Sequence, residues 1–437
     1  GDEYLYAGGA FTTTNGVVRK NLAALDADSL SLTYGEALAW NPAANAPVYA
    51  MAIDAAGATV FVGGMFTEVS GTAASRIAAL DALDHTAVIW GAPSVDDTVR
   101  TLALPPLGSL LYAGGDFTEI NSTTRNYIAA LNVGAGNVET FNPNADAPVN
   151  AIVATDSTIY VGGEFNNIGG QARDYLSAVT ISGNDIGFTV TTDYPVTSLT
   201  LNNAEDRLYV GGEFTTIGGQ PRNRLAAVDT TGVGAVLPWT DLGLNGTVEC
   251  MLLDEGKETL WIGGNFVSPL LRLAAVDVDE MDVVQFGTLT PLGMPWDPRA
   301  DNPVYDFNQS FSGASIYAGG AFTVVGGPNF SGTDGYSRSY LGHFVLRPVI
   351  TLVGSDSVTV ECGTGSYTEE GATAVNAAGI PIGPVIIGGD VVNPNVVGTY
   401  VITYDITDAG NPALTVTRTV IVEDTTPPLI TLTGNAA

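Results

Sequence analysis

The chain has 437 residues, enough for two or three domains with buried cores, and only 14% of them are charged. Acidic residues outnumber basic ones 46 to 15, giving a net charge of −31 and a surface that repels nucleic-acid phosphates. No apolar run reaches membrane-spanning length, and two cysteines, Cys250 and Cys362, are too few for a disulfide framework.

The chain opens on Leu5-Tyr6-Ala7-Gly8-Gly9-Ala10-Phe11, a phrase that returns throughout its first three quarters. The glycine pairs recur at Gly63-Gly64, Gly114-Gly115, Gly162-Gly163, Gly211-Gly212, Gly263-Gly264 and Gly319-Gly320, at spacings of 55, 51, 48, 49, 52 and 56 residues. Phe follows two places after every pair. A period near 50 that survives seven times marks a repeat architecture.

Each unit reads as four strands. In the second, these are Pro47–Ile53, Thr59–Phe66, Arg76–Asp81 and Ala87–Trp90, rich in Val, Ile and Phe and bounded by Gly, Asn, Asp and Pro. Four-stranded units of this length predict an all-β, seven-bladed β-propeller over residues 1–346. The glycines are expected at a bulge or a close backbone approach, and each Phe between adjacent blades. The first unit lacks its opening strand and the seventh its outer one, so residues upstream of Gly1 are expected to supply a strand, the chain being a piece of something longer. A loop of the type Trp40-Asn41-Pro42 to Pro47-Val48 repeats at Phe141–Val149 and Trp296–Val304, where Asx-Pro favours a turn.

The pattern GG-x-F-T, then G-x-x-R-x-x-L-A-A-(L/V)-D, then W-(N/D)-P…P-V resembles the bacterial delta-sixty repeat, a β-propeller family. Gly211 to Asp229 matches it nearly throughout. That resemblance implies the fold and no shared catalytic residues. The sixth unit departs, with Ser268-Pro269 in place of the glycine turn, and a shorter hairpin is expected there.

From residue 347 the phrase disappears, and alternating strands such as Ser357–Gly363, Gly398–Asp405 and Thr415–Val422 predict an Ig-like β-sandwich over 347–424. Pro428–Gly434 then repeats Pro348–Gly354, so 425–437 reads as a linker and the start of a further Ig-like module in a tandem array. These motifs resemble bacterial Ig-like domains of the hyalin-repeat type, modules strung in series in surface and secreted proteins. The acidic segment that this family carries after G-A-T-A is replaced here by Asn376–Pro381.

Chemistry is sparse. His85 and His343 lie in different blades, and no metalloprotease, serine-hydrolase or phosphate-loop motif occurs. Asp116, Glu164 and Glu213, the variable residues inside GGxF, form a candidate carboxylate cluster near a central channel; the plainer reading is partners for arginines or solvated strand positions. Eight of thirteen arginines, at Arg19, Arg125, Arg173, Arg222, Arg338, Arg76, Arg224 and Arg272, fall in one turn of the repeat and are expected to bond loop carbonyls or pair between blades. Asp277–Asp282 reads as an exposed acidic turn rather than a calcium loop. Asp405, Asp408, Glu423 and Asp424 are candidate calcium ligands near a module junction. Ser29, Thr98, Ser157, Thr230, Ser357 and Thr425 follow Asp in triplets resembling the O-glycosylation sequon of Bacteroidota surface proteins.

The reading is of a non-enzymatic, extracellular, cell-surface structural or adhesive protein without cofactor, calcium being the one metal considered. The propeller serves as an interaction head on an Ig-like stalk, meeting a surface or matrix glycan or protein, with self-association as a further partner mode. The alternatives are a glycan-binding or glycan-hydrolysing propeller, favoured by inward carboxylates and aromatics at one channel mouth, and a subunit of an extracellular filament.

Overall fold

A computed structural model describes residues 4–14, 16–27, 35–84, 89–90, 93–254, 259–268, 270, 272–278, 300–309, 315–322, 341–345, 349–363, 366–375, 381–408, 411–413 and 415–426. Every element among them is a β-strand. The chain divides into two compact units, with the main boundary between His343 and Phe344.

In the first unit each GG phrase lies in an antiparallel sheet of its own. The fourth sheet is typical. Its inner strand Val149–Ala154 pairs with the GG strand Thr158–Gly163, which pairs with Leu176–Thr180. Among the described residues the first sheet holds Tyr4–Gly8 and Leu22–Asp26, without an inner strand. Inner strands of successive sheets, from Val48–Ile53 through Val99–Ala103, Val149–Ala154, Val196–Leu201 and Val248–Asp254 to Val304–Gln309, pack against one another in chain order.

Both glycines of the pair are required by contacts. A Cβ on the first, in the first six units, would lie 2.4 to 2.8 Å from Cγ1 of the valine that opens the next inner strand, as Gly162 does against Val196. A Cβ on the second would lie 2.1 to 2.4 Å from a backbone carbonyl of its own sheet in the six units from the second onward, as Gly212 does against Pro195. That carbonyl accepts the amide of the residue after the pair, for instance Glu213 N to Pro195 O at 2.9 Å. Beside it the ladder shifts register, between Val196 and Ser198 in the fifth sheet, leaving Thr197 as a bulge. Bulge and close approach, both expected of the glycines, occur together.

The phrase phenylalanines sit where two sheets meet. Phe214 is fully buried with Tyr160, Leu176 and Ala178 of the fourth sheet and Val196, Leu208 and Val210 of its own. Phe11, beside the incomplete first sheet, is only half-buried. A second aromatic seam runs alongside: Tyr6–Trp40, Tyr112–Phe141, Tyr160–Phe188 and Tyr209–Trp239 meet edge-on at 4.9 to 5.9 Å. Trp40 also donates its indole N–H to Asp81 O of the following sheet at 2.9 Å.

The expected fourth strand is mostly absent from the described residues. It survives as Ala235–Val236 in the fifth sheet and elsewhere as single bridges, Leu25 to Ala37, Leu131 to Val138 and Val179 to Asp185. Ile89 keeps one bond, to Ala79 O at 2.8 Å, and Ala87 and Val88 lie outside the described residues. Backbone bonds of the ladder persist there, such as Leu38 N to Ala24 O at 2.8 Å and Glu139 N to Ala130 O at 2.9 Å, and arginine side chains add to them. Arg19, Arg125 and Arg222 each donate to a carbonyl of that outer segment, those of Leu38, Glu139 and Leu237. Arg173 instead grips Asp185 through Nε and Nη2 at 2.9 and 2.8 Å. These bonds stay within a unit rather than crossing between units. The Arg76, Arg224 and Arg272 set occupies another role: these residues adopt φ of 60 to 68° and donate their amides to the phrase Phe carbonyl. Arg338 lies outside the described residues.

The second unit pairs a three-stranded sheet, Val349–Leu352, Ala372–Val375 and Pro381–Ile382, with a four-stranded one. The latter runs Ser357–Glu361, Val416–Glu423, Gly398–Asp405, Ile386–Gly389, its first pair parallel. Tyr404, Val420 and Val422 centre the core. Within it Arg418, 1% exposed, pairs with Glu369 and donates Nε to Ser355 O at 2.8 Å, while Tyr367 and Tyr404 donate to the same carboxylate. Partial burial alone would raise the Glu369 pKa, but the two tyrosine hydroxyls, the Gly371 amide and Arg418 together hold it below the usual range.

Candidate binding cleft

The bulge turns one residue per inner strand out of the alternation: Tyr49, Arg100, Asn150, Thr197, Glu249 and Tyr305. Arg100, Asn150, Thr197 and Glu249 line a cleft of about 460 Å³ together with Glu164, Glu213 and Pro195. Glu164 and Glu213 are variable residues of the GG phrase, so the phrase and the bulge opposite it build the cleft between them.

Arg100 is the hub. It grips Asp116 through Nε and Nη2 at 3.1 and 2.8 Å and reaches into the fourth sheet, with Nη1 2.7 Å from Asn150 Oδ1 and 3.0 Å from Glu164 Oε1. Asn150 Nδ2 passes the contact on to Val196 O at 3.3 Å, and Thr197 Oγ1 to Val248 O at 2.5 Å. The inner strands are thus tied side to side by bulge side chains. Glu213 and Glu249 face the cleft without such a partner among the described residues. Burial, and then the charge of Glu213, push the Glu249 pKa up. On the next residue Cys250 is buried, and burial with the nearby Asp306 and Glu249 charges raises its thiol pKa well above normal. Asp306 is open to solvent yet packed round by protein, which pushes its carboxyl up to about 6 despite the Phe307 amide. Tyr49 and Tyr305, at the same register position as Arg100, are 52% and 55% exposed.

Of the three carboxylates singled out in the sequence, Asp116 and Glu164 converge on Arg100, and Glu213 lines the same cleft. Arg100 itself, Asn150, Thr197 and Glu249 were not foreseen. Their signal was available: a polar or aromatic residue directly after the repeated strand-opening valine breaks the apolar alternation.

The four calcium candidates do not assemble. Tyr404 lies opposite Val416 and Gly398 opposite Val422, which places Asp405 and Glu423 at opposite ends of one strand pair, about 26 Å apart. Asp405 accepts the Thr415 hydroxyl, and Asp424 accepts the Thr426 amide. Asp408 closes a two-residue ladder with Asn411. Among the described residues no group of carboxylates, histidines or cysteines is arranged to hold a metal. The acidic run from Asp279 onward, the site of His85, and the side chain of His343 lie outside the described residues.

Of the glycosylation candidates, Ser157, Ser357 and Thr425 are exposed and Thr230 is half-buried. Thr98 is buried, its hydroxyl on Asp97 and its carbonyl bonded to Asp116 N, a place where an added sugar does not fit. Ser29 lies outside the described residues. Cys250 and Cys362 are both free.

Residues 350–422 match the family model described as bacterial surface protein, Ig-like domain, and residues 206–232 match a domain of unknown function (DUF5122) beta-propeller. No curated protein matches the chain. Among the described residues no helix is long and apolar enough to cross a membrane. The chain is therefore similar, over its second unit, to domains of bacterial surface proteins and, over part of one repeat of its first, to a propeller-type sequence; the former similarity points to a surface or extracellular protein.

Proposed function

We propose that the protein is a non-enzymatic, cell-surface adhesive protein. Its repeat unit forms a closed seven-bladed propeller that presents the cleft, and its Ig-like unit is one module of a tandem stalk. The single observation that carries the binding reading is the convergence of Arg100, Asn150, Glu164, Thr197, Glu213 and Glu249 on one cleft. Rigid strands hold these polar groups in fixed places, which is what orientation-specific recognition of a polar ligand needs. Exposed Tyr49 and Tyr305, at the same position in their strands, supply flat apolar faces suited to a sugar ring or a side chain from another protein.

The test is binding of the purified chain to an array of surface glycans and matrix proteins, with Arg100→Ala and Glu249→Gln in parallel. Loss of a wild-type signal in both variants, each still folded with a cooperative melting transition, is the expected result. Retention of every signal in both would remove the cleft from the binding surface. A second reading, glycan hydrolysis, is favoured by the two carboxylates Glu213 and Glu249 lining one cleft, with burial and then the Glu213 charge pushing the Glu249 pKa up. Release of reducing ends from a polysaccharide, abolished in Glu249→Gln, would establish it.

A further inference from the structure

The exit end of the Ig-like unit is built as a joint. Glu361, the last residue of its strand, accepts the amides of Thr425 and Thr426 at 3.0 and 3.1 Å and their hydroxyls at 2.7 and 2.6 Å. One carboxylate therefore takes four bonds from the two residues at which the chain leaves the sandwich. Beside it, Cys362 N donates to Glu423 O at 2.8 Å and Gly363 N to Pro394 O at 3.0 Å, fastening loop 390–397 to the same end. That loop is itself rigid: Tyr400 Oη donates to Val396 O at 3.0 Å, and Asp390 Oδ2 accepts Val401 N at 2.8 Å.

On this ordered loop three valines face solvent. Val391 is 91% exposed, Val396 52% and Val397 59%. Three apolar side chains held out to solvent on one short hydrogen-bonded loop are the pattern of a surface that another domain covers. Which domain follows from the chain itself. Pro428–Gly434 repeats Pro348–Gly354, and only four residues, Asp424 to Pro427, separate the last strand from that repeat. Four residues span at most about 14 Å, about one domain radius, and two of them are already pinned to Glu361.

We infer that Val391, Val396 and Val397 are the docking surface for the next Ig-like module of the same chain, and that Glu361 is the clamp that fixes its direction. This rests on the tandem-stalk reading above. Consecutive modules then meet in a stiff joint, and a stalk built this way transmits orientation to what it carries.

The experiment lengthens the chain by replacing residues 428–437 with a copy of residues 348–427, and compares it with the original chain. Hydroxyl-radical footprinting reads the exposure of loop 390–397, and small-angle scattering reads the particle's length. The expected result is loss of labelling on the loop in the lengthened chain, its return in the lengthened chain carrying Glu361→Ala, and a longer particle. A longer particle with unchanged labelling keeps the stalk and overturns the joint, whereas a compact particle overturns both. Protection of the loop already in the original chain, with a dimer in sedimentation, would assign the surface to a second copy and likewise overturn the joint.

Discussion

At the scale of single residues, the glycine pair carries two separate constraints. The first glycine lets the next sheet's valine approach, and its obstacle is a side-chain methyl. The second sits over a backbone carbonyl that cannot move without breaking the bulge. Gly211→Ala, 2.8 Å from Val248 Cγ1, is expected to cost about 1–3 kcal/mol as an overpacked contact. Gly212→Ala, 2.4 Å from Pro195 O, is expected to cost more than Gly211→Ala, because relief requires backbone displacement. Denaturant unfolding of both variants checks the order, and equal losses would show that the carbonyl yields. The glycines were legible as packing devices because they recur at one place in each unit, but which one meets the next sheet was not, since sequence spacing does not say which face a bulged strand presents.

At the scale of elements, an Asx residue latches the loop to the phrase hairpin of its own unit in the five units from the second to the sixth. Asp193 accepts the amides of Thr215 and Thr216, both at 2.8 Å, and the Thr215 hydroxyl at 2.6 Å. Asp96 and Asp146 do the same with Thr118–Glu119 and Asn166–Asn167, and Asn45 and Asn245 occupy the place in two other units. Partial burial pushes the Asp96, Asp146 and Asp193 pKa values up, but the hydrogen bonds outweigh it and hold all three below the usual carboxylate range. With folded values below unfolded ones, their contribution is complete above the unfolded value of about 3.9 and is lost as pH falls through the folded values. Asp193→Ala is expected to lower stability at neutral pH by about 1–3 kcal/mol, since it leaves two amides unpaired. Asp193→Asn, a natural choice at this place, is expected to cost less there and to flatten the acid limb. Melting curves between neutral pH and pH 3 distinguish the two, and identical acid limbs in wild type and Asp193→Asn would show that the latch is not what titrates. The sequence displayed these Asx residues only as turn formers, because a latch joins residues some 22 positions apart.

At the scale of the whole molecule, the charge of −31 invites a calcium role, but the strand pairing sets two of its candidate ligands, Asp405 and Glu423, at opposite ends of one sheet. Calcium is accordingly expected to leave the melting temperature of the chain unchanged. A rise abolished by Asp405→Asn would restore the site. The sequence by itself determined the all-β character, the repeat, the interleaved phenylalanines and the change of unit after the last GG phrase, because alternation and period are local properties that packing repeats without altering. Only the tertiary structure decided that Arg100 gathers Asp116 and Glu164, that arginine side chains brace the outer segment of a unit, and that loop 390–397 is bonded to the chain just after Glu361. Each of these depends on groups from different parts of the chain meeting at a bulge or a strand end, and a one-residue shift in register would turn every one of them to another face.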